Sequence, residues 1–269
     1  MLYNAKNSRL PIGDTYMDYI SFGKGRETLI ILPGLGDGLK TVKGTALPFA
    51  FMYRKFAKKY KVYVFSRKNE LKEGCTTEDM ADDLKIATDY LGIEKAHILG
   101  VSMGGMIAQH FAIKYPEKML KLILAVTVAR SNDMIKSAIN NWLDMVNRND
   151  HKSLMIDNVE RIYTEKYIKK KHYRMMYPLV SKISKPKTYD RFIIQANACL
   201  THDAYDKLDT VTCPTLVIAG MVDKVVGGEQ STEPAALIKG SKCIIHHELG
   251  HGLYEEDSGF NDDVLLFLA

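Results

Sequence analysis

Ala96-His97-Ile98-Leu99-Gly100-Val101-Ser102-Met103-Gly104-Gly105 is the stretch on which the fold turns. Ala96 to Val101 is apolar enough for a strand buried on both faces. Met103 to Tyr115 then shows helical spacing and stops before Pro116. Between them stands Gly100-x-Ser102-x-Gly104, a serine at a strand-to-helix junction. So sharp a turn forces the serine to positive φ and leaves no room for bulk two residues away on either side, hence the glycines. The helix start sets backbone N–H groups and a partial positive charge beside the hydroxyl. The five-residue pattern alone arises by chance in roughly one chain in ten of this length, so its weight comes from the junction. The ordinary alternative is a turn in which Ser102 only caps the helix.

Outward from the junction, strand and helix signals alternate. Tyr16 to Phe22, Thr28 to Leu32, Lys61 to Phe65 and Leu120 to Val128 read as strands. Phe49 to Tyr60 reads as a helix, and so does the run from Thr76-Thr77-Glu78-Asp79 to Leu91, with a threonine cap at its start and Gly92 at its end. Such alternation predicts an α/β fold: a mostly parallel, twisted sheet with helices on both faces. From Ser131 to about Leu208 no buried strand appears. Met134 to Val146, Leu154 to Ile168 and Tyr189 to Leu200 read as helices there, with Pro178 and Pro186 as breaks. Strands resume at Thr215 to Ala219 and Lys242 to His246, and Asn261 to Leu268 closes the chain as a short helix. The expected organisation is a core of residues 1–130 and 208–269 with a helical cap at 131–207.

Composition excludes several classes. The chain has 269 residues, 46% hydrophobic and 26% charged, which is that of an ordinary globular protein rather than a disordered or collagen-like one. The longest wholly apolar stretch, Ala46 to Tyr53, has eight residues, and a membrane span needs about 20. The first residues lack the basic-then-apolar pattern of a signal peptide, so the expected location is cytoplasmic. Cys75, Cys199, Cys213 and Cys243 show no C-x-x-C spacing and read as reduced, mostly buried thiols. The whole +5 charge excess falls in 131–207, which reads as a solvated face or as a lid that attracts anions. The run Lys169-Lys170-Lys171 is short and comes with no aromatic stacking pattern or nucleic-acid motif, so no nucleic-acid partner is expected.

An activated serine needs a base, and the base needs an acid to orient it. His251, in Gly250-His251-Gly252 after the last strand, suits the base. Asp223, just past the strand Thr215 to Ala219, suits the acid, with Asp133 and Asp37 as rivals. All three chosen residues fall at the carboxyl edge of the sheet, where open α/β sheets place their sites. His97, His110, His246 and His247 read as structural.

With these residues in place the chain resembles the α/β-hydrolase superfamily, over Ile30 to Gly36, Thr77 to Gly105, Pro214 to Asp223 and Gly250 to Glu256. It looks most like the small esterase-type branch, in which a helical cap follows the sixth strand. The resemblance implies Ser102 as nucleophile, Asp223 as acid and His251 as base, in the family's chain order. It also implies an oxyanion hole from the backbone N–H groups of Leu35 and Met103. Many relatives carry His-Gly after the third strand where this chain has Pro33-Gly34, which keeps the glycine and leaves the second donor less defined. Relatives with an aspartate nucleophile, the dehalogenases and many epoxide hydrolases, are disfavoured by Ser102.

Two other motifs fail on inspection. His247-Glu248-Leu249-Gly250-His251 matches H-E-x-x-H, but that zinc signature needs one helix, and this copy follows a β-branched run and contains a glycine. Gly34-Leu35-Gly36-Asp37-Gly38-Leu39-Lys40-Thr41 suggests a phosphate loop, but Leu39 stands where a glycine is required. No metal or cofactor is expected. Gly34, Met134 and Trp142 are candidate substrate contacts, the last two from a cap whose methionines and aromatics suit an acyl pocket. The expectation is a serine hydrolase of a small carboxylic ester or thioester, monomeric or homodimeric. A carbon–carbon hydrolase, lactonase, aminopeptidase or perhydrolase could use the same three residues, and a non-catalytic ligand receptor could retain them.

Overall fold

The computed structural model describes residues 2–269, apart from the side chains of Val180 and Ile183. The chain runs β1 (Lys6–Ile12), β2 (Thr15–Phe22), β3 (Glu27–Leu32), α1 (Ala46–Met52), α2 (Arg54–Ala57), β4 (Tyr60–Lys68), α3 (Thr77–Tyr90), β5 (Ala96–Val101), α4 (Met103–Lys114) and β6 (Met119–Ala125). Five helices follow: α5 (Asp133–Asn147), α6 (His151–Ile162), α7 (Glu165–Lys170), α8 (Tyr173–Ser184) and α9 (Asp190–Leu200). The sheet resumes with β7 (Thr215–Gly220), α10 (Glu233–Leu237), β8 (Lys242–His246), α11 (Leu253–Glu256) and α12 (Phe260–Leu268).

The eight strands lie in the order β1-β2-β4-β3-β5-β6-β7-β8. From β4 to β8 every pairing is parallel, while β1 and β2 are antiparallel. Alternate residues of the central strands enter separate cores. Ile30, Leu32, Ile98, Leu122 and Leu124 pack with α3 and α4 on one face. Leu29, Ile31, Leu99, Val101 and Ile123 pack with α1, α2 and α12 on the other. Burial on both faces is why these strands read as continuous apolar runs.

Several boundaries differ from the sequence reading. β1 was not legible, because Pro11 and a polar half mark it as non-strand; it is an edge strand that buries only Leu10 and Ile12 fully. The expected helix Phe49–Tyr60 is two short helices bending at Tyr53, and Tyr60 already belongs to β4. Leu154–Ile168 breaks at Tyr163 into α6 and α7. Pro178 does not break the chain but sits inside α8. A proline there forfeits one backbone hydrogen bond, which is cheapest on a surface helix where water can take the freed carbonyl. Thr76 does cap α3, in a reciprocal box with Asp79. Of the cysteines only Cys199 is fully buried; Cys243 is exposed.

His202, after α9, is buried against the start of α3, where Thr77 Oγ1 lies 3.0 Å from its Nδ1, and it meets His110 edge-on. Desolvation, with His110 second, pushes its pKa from 6.5 down to about 3. The folded imidazole therefore refuses a proton that the unfolded chain accepts. Its contribution is complete above pH 6.5 and is lost as pH falls from 6.5 toward 3, by about 1.4 kcal/mol per unit. Denaturant unfolding between pH 7 and 4 is expected to show a shallower loss of stability in His202→Gln than in the parent; equal slopes would remove this account of acid sensitivity.

Candidate active site

The β5–α4 junction holds Ser102 at φ 54°, ψ −122°, a conformation that costs on the order of 1–3 kcal/mol in a non-glycine residue. Packing sustains it. A Cβ built on Gly104 would lie 2.0 Å from the Leu32 carbonyl oxygen, and one on Gly100 would lie 2.5 Å from the Gly104 oxygen. The helix thus starts pressed onto β3, and the Ser102 N–H donates to Ala125 O on β6 at 2.9 Å. The Ser102 side chain does not cap α4. Its Oγ lies 2.9 Å from His251 Nε2 instead, and His251 Nδ1 lies 2.8 Å from Asp223 Oδ2.

Asp223 is fixed by its own turn. Its Oδ1 accepts from the N–H groups of Val225 and Val226 at 2.8 and 2.9 Å, leaving Oδ2 for the imidazole. Both Asp223 and His251 are buried. With Oδ2 accepting, Nδ1 carries the proton and Nε2 is left to accept from the serine hydroxyl. The rival acids are placed elsewhere: Asp133 begins α5 and pairs with exposed Lys136, while Asp37 is held between Arg67 and Arg191.

The loop after β3 faces Ser102 from across the site. Gly34 comes so close that a Cβ there would touch Ser102 Cβ at 3.4 Å. Leu35 opens a 3-10 turn, and Met103 is the first residue of α4, so each N–H lies at a helical start where no preceding turn supplies an acceptor. A buried charge cluster anchors this loop. Arg191, from α9, donates to the Asp37 carbonyl at 2.7 Å, to Asp37 Oδ2 at 2.9 Å and to the Arg67 carbonyl at 3.2 Å. Arg67 donates to the Pro33 carbonyl at 2.6 Å, and its backbone N–H donates to Asp37 Oδ2. Burial lowers the Arg67 pKa, with Asp37 opposing it.

A cavity of about 380 Å³ opens over Ser102 and His251. Its walls include Gly34, Leu35, Val42, Met106, Val225 and Val226 from the loops and helices around the sheet, and Ile135, Ile139, Trp142, Asn158, Ile162 and Tyr163 from the segment between β6 and β7. Trp142 is oriented by a 2.7 Å hydrogen bond from its Nε1 to Asp157. Met134 is a correction: it is 43% exposed and does not line the cavity. It stands one residue off the buried stripe Ile135, Ile139, Trp142 and Val146. Sequence reasoning missed Asn158, Tyr163, Arg67 and Arg191, whose partners lie far away in the chain. Ile135 and Ile139 could have been chosen over Met134 from that stripe.

The inserted helices also meet the loop that carries His251. Gly252 donates to Ile162 O at 2.7 Å, and a Cβ there would lie 2.5 Å from the Tyr163 ring. Thr164 bonds Glu256 through both its N–H and its hydroxyl. His247 and His251 do not share a helix, and both ring nitrogens of His251 are committed to Asp223 and Ser102. His246, Asp257 and Asp263 each bring one ligand atom within 4.8 Å of the others, a half-buried group separate from that motif.

Residues 27–154 match the family model for the alpha/beta hydrolase fold. The chain is 24% identical over 251 residues to a putative carbamate hydrolase RutD of Caulobacter sp., covering 91% of each chain. It is 25% identical over 265 residues to a 2-hydroxy-6-oxononadienedioate/2-hydroxy-6-oxononatrienedioate hydrolase of Klebsiella pneumoniae subsp. pneumoniae, covering 92% of this chain and 88% of that one. Among solved structures it resembles MGS-M2, an alpha/beta hydrolase enzyme from a Medee basin deep-sea metagenome library, with a TM-score of 0.84 at 22% identity over 97% of each chain.

Gly104→Ala is expected to cost about 3 kcal/mol or more, because backbone rather than a flexible side chain blocks the added methyl. Urea unfolding measures this; stability equal to the parent's would mean that α4 does not press on β3 as described.

Proposed function

The chain is a member of the alpha/beta-hydrolase superfamily, and on that premise we propose that it is a serine hydrolase of a small carboxylic ester or thioester. The observation that carries the reading is the continuous hydrogen-bonded line from Ser102 Oγ through His251 to Asp223 Oδ2. Ser102 Oγ attacks the substrate carbonyl carbon as its proton passes to His251 Nε2. Asp223 keeps the imidazole in place and stabilises its positive charge. The carbonyl oxygen, now an oxyanion, accepts from the Leu35 and Met103 N–H groups. The C–O or C–S bond breaks and His251 returns the proton to the leaving group. Water, deprotonated by the same Nε2, then attacks the acyl-serine, and its proton restores the Ser102 hydroxyl as the acid departs.

The cavity supports the small-acyl part of the reading. Its volume falls at the low end of small-molecule sites, and most of its wall is aliphatic or aromatic. In this reading residues 131–207 act as the cap that closes it.

The Klebsiella relative acts, by its name, on dioates, and a carbon–carbon hydrolase is the second reading. A doubly anionic substrate needs cations at the cavity. Arg191 donates to Asp37 and to backbone carbonyls, Arg67 donates through Nη2 to the Pro33 carbonyl, neither arginine lines the cavity, and Lys40 is the one lysine or arginine among the described lining residues. That arrangement favours an uncharged acyl group.

Ser102→Ala is expected to lower kcat on an activated ester by several orders of magnitude, and Asp223→Asn by roughly 10⁴. A fluorophosphonate probe is expected to label the parent at Ser102. Full turnover in Ser102→Ala ends the proposal; a folded parent that resists labelling points to a ligand receptor. Arg191 acts through the Leu35 loop, so Arg191→Ala is expected to lower kcat roughly 10²-fold with little change in KM. A rise in KM at unchanged kcat would instead make Arg191 a substrate-binding group.

A further inference from the structure

Residues 166–189 contain eight lysines and arginines and no aspartate or glutamate. The chain's net charge is +5, so everything outside this stretch carries a net −3. Such a concentration is far from an evenly solvated face. Part of it is neutralised locally: Lys169 pairs with Glu165, and Arg174 with Glu160 and Glu165. Lys170, Lys182, Lys185 and Lys187 are exposed, with no acidic partner among the described residues.

At the centre of the basic stretch lies α8, and its outer surface is apolar. Met175, Met176 and Leu179 are 81%, 42% and 57% exposed. Met175, Leu179 and Lys182 are spaced four and three residues apart, so they share one face. The other side of α8 is docked on α6, through Tyr177 to Glu160 and His151 to Ser184. α8 is therefore a surface helix with one face committed to the protein and an opposite face that leaves three large apolar side chains in water between flanking lysines.

We propose that this face is a docking surface for an anionic lipid membrane, on which the protein rests peripherally. Lysine ammonium groups pair with lipid phosphates at the headgroup level, and their stems allow the thioether and isobutyl groups between them to enter the acyl boundary. No helix of the described residues is long and apolar enough to cross a membrane. Two other occupants fit less well. A nucleic acid calls for hydroxyl, amide or stacking groups among the lysines, where this face presents methionine and leucine. A second copy of the chain would set two strongly positive faces against each other. The proposal does not depend on the hydrolase reading. α6, on which α8 is docked, contributes Asn158 and Ile162 to the cavity wall, so α8 and α6 stand between that wall and the lipid.

Co-sedimentation with vesicles tests it. The full chain is expected to pellet with vesicles of equal parts phosphatidylcholine and phosphatidylglycerol, and to stay in solution with phosphatidylcholine alone. Near 1 M salt, where the screening length is about 3 Å, binding is expected to be lost. Each lysine neutralised weakens partitioning about five-fold, so K170Q/K182Q/K185Q/K187Q is expected to bind several hundred-fold more weakly. M175S/L179S keeps every charge and is expected to lose about ten-fold or more. All six side chains are exposed, so the melting temperature and the turnover of a soluble ester serve as folding controls. Equal pelleting with neutral vesicles overturns the proposal, as does binding that neither variant weakens. A labelled DNA duplex bound in preference to the vesicles also overturns it, as does a dimer that forms through this face while vesicles are ignored.

Discussion

Ser102 holds a backbone conformation that its own side chain disfavours, and the atoms around it leave no slack for relaxation. Gly104 lies against the Leu32 carbonyl of β3, and the Ser102 N–H is tied to Ala125 on β6. The strain is thus carried by three parallel strands and one helix together, not by the turn itself. That arrangement fixes where the hydroxyl points, and it ranks the other constraints. Asp223 and His251 come from the loops after β7 and β8, beyond β6 on one side of β5, and the loop of Leu35 comes from β3, next to β5 on the other. The strand order β3-β5-β6-β7-β8 is what lets residues so distant in sequence converge on one oxygen.

The parts legible in the sequence are those written in local chemistry. Buried parallel strands announce themselves as unbroken apolar runs, and the threonine cap of α3 and the glycines of the elbow act within a few residues. What stayed hidden depends on tertiary context. β1 is an edge strand with one proline and few buried residues, so its pattern is nearly that of a loop. α8 tolerates Pro178 because it lies at the surface. Met134 and Ile135 differ by one position on the helix, and which of them faces the cavity depends on how α5 rolls against α9 and α6, which composition does not encode. Arg67 and Arg191 are separated by 124 residues, so nothing local marks them as a pair around Asp37.

The helices between β6 and β7 do more than cover the site. They reach the loop of His251 through Gly252 and Ile162, and the loop of Leu35 through Arg191 and Asp37. Each contact grips the backbone of a loop that bears a candidate functional group. Gly252 is the residue directly after His251, so a displacement at Ile162 is felt one peptide away from the imidazole. The inserted helices and the sheet therefore hold both loops between them.

That coupling bears on where the molecule's charge is stored. The basic stretch begins in α7, directly after the Ile162–Thr164 contact, and ends just before Arg191. Both contacts with the loops of Leu35 and His251 thus flank the basic stretch. Mutual repulsion among unpaired lysines favours a looser α8, while the pairs of Arg174 with Glu160 and Glu165 hold it to α6 and α7.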